Sequence, residues 1–143
     1  MGPDLAELLT GMQEPIISCV NTPAQFAALA AVTGPQQVVG QMRDAYRDRR
    51  DELLEILDRA ELVSSRPSGA VYVCTDVPAA GMPSMDFARS LIEHEHVAVT
   101  PGPAFGEVGE GYVRLSLDCW REDLLEGASR LVRFVRHQGQ TRK

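Results

Sequence analysis

The sequence has 143 residues, 44% hydrophobic and 24% charged, enough for one globular domain that buries about 70% of the surface its unfolded chain exposes. The net charge of -6, from 14 basic and 20 acidic residues, argues against nucleic acid as the main partner, because that binding needs a concentrated basic surface to displace counterions. The N-terminus has no basic segment leading into an apolar signal region, and no apolar run reaches the roughly 18 residues that span a bilayer, so a cytoplasmic protein without membrane contact is expected.

In chain order, Asp4–Gln13 reads as a short helix with Leu5, Leu8, Leu9 and Met12 on one side and Pro3 at its start. Glu14-Pro15 is expected to break it, leaving Ile16–Val20 extended or opening another helix. Asn21-Thr22-Pro23 can cap an alanine-rich helix over Ala24–Val32, which Gly34-Pro35 ends. The spacing then predicts a long helix from about Gln37 to Ala60. Val39, Met42, Tyr46, Leu53 and Leu57 share one face, and the other carries charges of alternating sign, Arg43 to Glu55, that read as a solvated face.

The period then changes. Leu62-Val63 and Ala70–Thr75 read as strands around the turn Arg66-Pro67-Ser68-Gly69, and Ser84–Glu95 reads as a helix with Phe87, Leu91 and Ile92 inward. Val97–Thr100 is a predicted short strand, Pro101-Gly102-Pro103 opens a loop with four glycines, and Tyr112–Leu117 is a strand. A final helix covers about Arg121–His137, with Leu124, Ala128, Leu131 and Val135 at helical spacing. Strands interleaved with helices after one long helix predict an α/β (α+β) two-layer sandwich.

Several side chains carry chemistry in principle. Thirteen arginines stand against one lysine, Lys143 in the polar tail, and only lysine forms Schiff bases. Cys19, Cys74 and Cys119 are odd in number and far apart, which reads as buried free thiols in a reducing compartment. His94 and His96 match no standard metal-ligand spacing, so no metal site is expected. Ser64, Ser65 and Ser68 lack a nucleophile elbow, and Arg130, Arg133 and Arg136 read as solvated or paired with acids. In the strand Tyr112–Leu117 a side-chain period of two puts Val113, Leu115 and Leu117 on one face and Tyr112, Arg114 and Ser116 on the other. Arg114 then reads either as a surface arginine paired with an acid or as a carboxylate ligand beside a glycine loop through which backbone approaches a small molecule.

The stretch Val97-Ala98-Val99-Thr100-Pro101-Gly102, then Phe105-Gly106, then Gly111-Tyr112-Val113-Arg114-Leu115-Ser116 resembles the C-terminal signature of class I/II, fold-type I, aspartate/aromatic-like aminotransferases. Asn21-Thr22-Pro23 with Gln25 and Ala27-Ala28-Leu29, Tyr46 with Arg49-Arg50, and Pro67-Ser68-Gly69-Ala70-Val71-Tyr72 match further family segments in order. The resemblance implies that Arg114 binds a substrate α-carboxylate, that Asn21, Thr22, Gly69 and Phe105 line the pocket or an interface, and that the cofactor of the complete enzyme is pyridoxal 5'-phosphate. It implies residues 1–33 as the end of a large domain and an interdomain segment, 34–138 as the small C-terminal domain, and 139–143 as a tail. The family's Ser-x-x-Lys segment, which carries the aldimine lysine, has no counterpart here, so no catalytic or cofactor-binding residue is assigned and the chain is expected to be inactive alone. The expected partners are an amino acid and a 2-oxo acid, with a homodimer or a complementing large-domain chain. The alternatives are a non-catalytic carboxylate-binding or interaction module, and a fragment of a related decarboxylase or synthase.

Overall fold

The computed structural model describes residues 2–62, 66–77 and 81–140. The predicted strand residue Val63, the serines Ser64 and Ser65, and Lys143 lie outside them. The chain divides into two compact units, 1–41 and 42–143, with the division inside a helix.

In the first unit, α1 spans Pro3–Ile17 and α2 spans Thr22–Thr33. Pro15 does not break α1, contrary to expectation. It sits in the last turn, where the helix ends on its own as the Ser18 N–H donates to the Glu14 carbonyl at 2.8 Å, so the missing Pro15 N–H costs only one bond, on an exposed helix. Asn21 caps α2 as expected, its side-chain oxygen accepting from Ala24 N at 2.9 Å. Gly34 closes that helix by donating to the Ala30 carbonyl at 2.9 Å. No residue of α2 is buried. Leu8, Ile16, Phe26 and Val32 are all exposed, so this unit presents apolar helix surface and has no buried core among its described residues.

Helix α3, Gln37–Asp58, runs into the second unit. Its Leu53, Leu54 and Leu57 are buried, whereas Val39 and Met42 are exposed, so only the C-terminal half of the predicted apolar face enters the core. Three strands, β1 (Tyr72–Asp76), β2 (Thr100–Pro101) and β3 (Tyr112–Ser116), form an antiparallel sheet in the order β1-β3-β2. Helices α4 (Ser84–Glu95) and α5 (Arg121–Gln140) complete the unit. The result is a mixed α+β fold with helices and a small antiparallel sheet around one core.

That core joins Leu53, Leu54 and Leu57 of α3 to Val73 of β1, Phe87 and Leu91 of α4, Val113 and Leu115 of β3, and Leu124, Ala128, Leu131 and Val135 of α5. Phe87 and Phe134 meet edge to face at 5.4 Å. Ile92, expected inward, is exposed, because Leu91 takes the core-facing position on that turn. Val97–Val99 is not a strand. The ladder is limited to Thr100 and Pro101, since Pro101 has no N–H to donate and leads directly into a 3-10 turn, Gly102–Phe105. Leu62 is not in a strand either, yet it is buried, and its carbonyl accepts from the Asp76 N–H at 3.1 Å and from the Thr75 hydroxyl.

The three cysteines are exposed, which corrects their reading as buried thiols. For Cys74 the cause is strand alternation. Val73 and Thr75 take the core side of β1, so Cys74 faces outward.

Candidate functional site

The sheet has one face on the core and one face open. Pairing sets Cys74 and Thr100 directly across from Arg114, with Tyr72 across from Ser116. Directly opposed residues of antiparallel strands share a face, so Tyr72, Cys74, Thr100, Arg114 and Ser116 collect on the open side.

The Arg114 guanidinium carbon lies over the Tyr72 ring at 4.0 Å and over the Phe105 ring at 4.4 Å. Its Nη2 donates to the Thr100 hydroxyl at 3.5 Å, the outer limit of a hydrogen bond. Among the described residues Arg114 has no ion pair, unlike Arg121 with Glu52 or Arg133 with Glu95. The expectation of a surface arginine paired with an acid therefore does not describe it. A guanidinium held by π faces keeps its in-plane N–H groups available, and that planar fork matches a carboxylate through two parallel hydrogen bonds.

Phe105 reaches Arg114 from the loop between β2 and β3, and two contacts hold that loop. Gly102 and Gly109 pack backbone to backbone, so a methyl group added to either would overlap the other's carbonyl oxygen. Gly102 and Gly109 thus bring the loop's own two halves together, while Gly106 and Gly111 face open space. At the second contact, buried Ser84 donates from its N–H (2.8 Å) and its hydroxyl (3.1 Å) to one carboxylate oxygen of Glu110, and the Gly111 N–H donates to the Ser84 hydroxyl at 2.8 Å. Because Ser84 opens α4, Glu110 also sits at the positive end of that helix. The Ser84 N–H holds the Glu110 carboxyl below its ordinary range.

Tyr46, Arg49, Arg50 and Gly69, from two further motifs, lie in the same unit. The Tyr46 hydroxyl donates to Asp118, which pushes the Tyr46 phenol pKa upward, and Arg49 donates to the Leu117 carbonyl at 3.1 Å. Arg50 donates to the Pro67 carbonyl at 3.3 Å. Tyr46 and Arg49 thus tie α3 to the exit of β3, while Arg50 ties it to the entry of β1. Gly69 lines a cavity of about 250 Å³ with Arg43, Tyr46, Arg47 and Arg50. Asn21 and Thr22 belong to the first unit, at the start of α2. His94 is engaged by the Ser90 carbonyl at 2.8 Å through Nδ1, and His96 ends α4 in a left-handed conformation. Among the described residues no three His, Cys, Asp or Glu side chains are arranged to hold a metal, and no helix is long and apolar enough to cross a membrane.

Sequence reasoning missed Tyr72, Ser84 and Glu110 as parts of this region. Strand alternation could have found Tyr72, two residues from Cys74 on the same face. The Ser84–Glu110 contact joins residues 26 apart and leaves no local pattern.

Residues 3–131 match the family model for aminotransferase class I and II. A probable N-acetyl-LL-diaminopimelate aminotransferase of Bacillus subtilis is 39% identical over 132 residues, covering 92% of this chain and 34% of that protein. Aspartate aminotransferase of Thermus thermophilus, solved with maleate, superposes with a TM-score of 0.80 at 34% identity, covering 92% of this chain and 34% of that one. Aspartate aminotransferase of Thermotoga maritima superposes with a TM-score of 0.79 at 30% identity over 93% of this chain and 33% of that one. The chain thus spans about a third of the length of these relatives. It belongs to the class I and II aminotransferases.

Proposed function

We propose that this chain supplies the carboxylate-binding part of an aminotransferase site, with Arg114 as the ligand for the α-carboxylate of an amino acid and its 2-oxo acid. The observation that supports this reading most is the Arg114 guanidinium itself, flanked by two rings, without an acidic partner among the described residues, and with in-plane donors available. Removing such a bidentate clamp costs about 2–5 kcal/mol of binding. The B. subtilis relative is named for a diaminopimelate derivative and the Thermus enzyme was solved with a dicarboxylate. Both names fit an amino-acid substrate and a place in amino-acid metabolism.

The family depends on pyridoxal phosphate, which when bound through a lysine supplies an electron sink for the amino-group transfer. The residues at hand do not fit that attachment. None of the described residues is a lysine, and the sequence has only Lys143. Arginine, protonated at all working pH values, does not take over the imine role. We infer that these 143 residues alone transfer no amino group, and that activity requires large-domain residues that carry the lysine. The exposed apolar surface of α1 and α2 is consistent with a complementing large-domain chain; a second copy of this chain would not bring the lysine.

The test has two arms. The purified chain is titrated with maleate, alongside Arg114→Gln, and saturable binding lost in the variant supports the carboxylate role. The chain is then incubated with pyridoxal phosphate, an amino acid and a 2-oxo acid. A borohydride-trapped cofactor adduct at one internal site, with turnover of amino acid to oxo acid, would overturn the claim of inactivity.

A further inference from the structure

Resting on the reading of Arg114 as a carboxylate ligand, we propose that Tyr72 and Phe105 are positioning residues that hold its guanidinium ready for the anion. Neither ring is placed by core packing. Tyr72 is 42% exposed and Phe105 59% exposed, although burial is what ordinarily fixes a large aromatic side chain. They come from different elements, β1 and the 3-10 turn after β2, and they meet the same guanidinium carbon at 4.0 and 4.4 Å.

The physical consequence concerns order. An arginine side chain carries substantial rotamer freedom, which it loses when it binds a carboxylate. Two rings against the guanidinium carbon remove part of that freedom before the ligand arrives. They attract the cation through their π faces and use none of its five N–H donors. Thr100 engages Nη2 only weakly, at 3.5 Å, so one edge is steadied and the donors are not consumed. The rings also displace water from beside the cation, which strengthens its field toward an incoming anion.

Phe105 keeps this place because its loop is fixed at both ends. Gly102 packs on Gly109, and Glu110 is bound by Ser84 at the start of α4. The aromatic flank is therefore a property of the folded loop as well as of two side chains.

The experiment follows the Arg114 Nε–Hε resonance of the 15N-labelled 143-residue chain during titration with maleate. Tyr72→Leu and Phe105→Leu keep apolar bulk and remove the π face, whereas Tyr72→Phe and Phe105→Tyr keep the ring. In the unmodified chain the Hε resonance is expected upfield from ring currents and saturates with maleate. Each leucine variant should bind maleate about two- to tenfold more weakly and the double variant about tenfold or more, with the upfield shift lost. The two ring-preserving variants should stay within about twofold. If the double leucine variant binds maleate as well as the unmodified chain does, the positioning role is overturned while the carboxylate reading stands. If the unmodified chain shows no Arg114-dependent maleate binding, the carboxylate reading itself fails, and the positioning role with it.

Discussion

The two faces of the three-stranded sheet are built from the same strands in the same register, yet they have different work. On the core side, Val73, Thr75, Val113 and Leu115 are all buried. On the open side, Tyr72, Cys74, Arg114 and Ser116 are exposed or half-exposed, and the cation there is held by rings and one hydroxyl. Strand alternation separates the stabilising face from the proposed binding face at single-residue resolution. Adjacent positions such as Leu115 and Arg114 should respond to substitution in opposite ways.

The largest expected effect on stability comes from the core face. Leu115→Ala should lower unfolding free energy by about 2–4 kcal/mol, through lost burial and a residual cavity, measured by urea denaturation. Next comes the loop that carries Phe105. Gly102→Ala forces a methyl group onto the Gly109 carbonyl and should destabilise by about 1–3 kcal/mol, while also moving the Phe105 ring off Arg114. A melting midpoint unchanged by Gly102→Ala would show that the loop halves do not need that close approach.

Glu110 gives a pH-dependent case. Its carboxyl is depressed below the ordinary 4.5 chiefly by the Ser84 N–H. A carboxylate with a lowered folded-state pKa contributes stability that is fully present above its unfolded value and is lost as pH falls through the folded value. Glu110→Gln should therefore melt earlier than the unmodified chain at neutral pH. The two midpoints should converge in acid, below the folded-state pKa. A gap that stays constant from pH 7 down to pH 2 would contradict the assigned contact. The smallest stability effect belongs to the open face. Arg114→Gln should change unfolding free energy by only about 1 kcal/mol, because it loses two half-exposed ring contacts and a long hydrogen bond but no ion pair among the described residues.

What could be read from residues alone followed local periodicity and punctuation. Helix α4 spans Ser84–Glu95 as its apolar spacing predicts, and Asn21 caps α2 through a contact three residues away. The in-and-out order of β3 is equally local. The misses have two sources. Pro15 and Val97–Val99 depended on how one element ends against the next, which turns on a single hydrogen bond. Ser84–Glu110, Gly102–Gly109 and Tyr72–Arg114 join residues that meet only after the chain folds. Arg114 was legible as a candidate through its motif, but its aromatic flank was not, because one ring comes from another strand and the other from an irregular loop. The exposed cysteines have a simpler lesson. A cysteine in an apolar strand faces out whenever its neighbours on both sides face in.

Arg114 as a carboxylate ligand is tested by calorimetric titration with maleate of the unmodified chain and of Arg114→Gln, each first shown to unfold cooperatively. Saturable binding to the unmodified chain and at least about a tenfold loss in the folded variant are expected. Equal affinity in the two proteins would contradict that role.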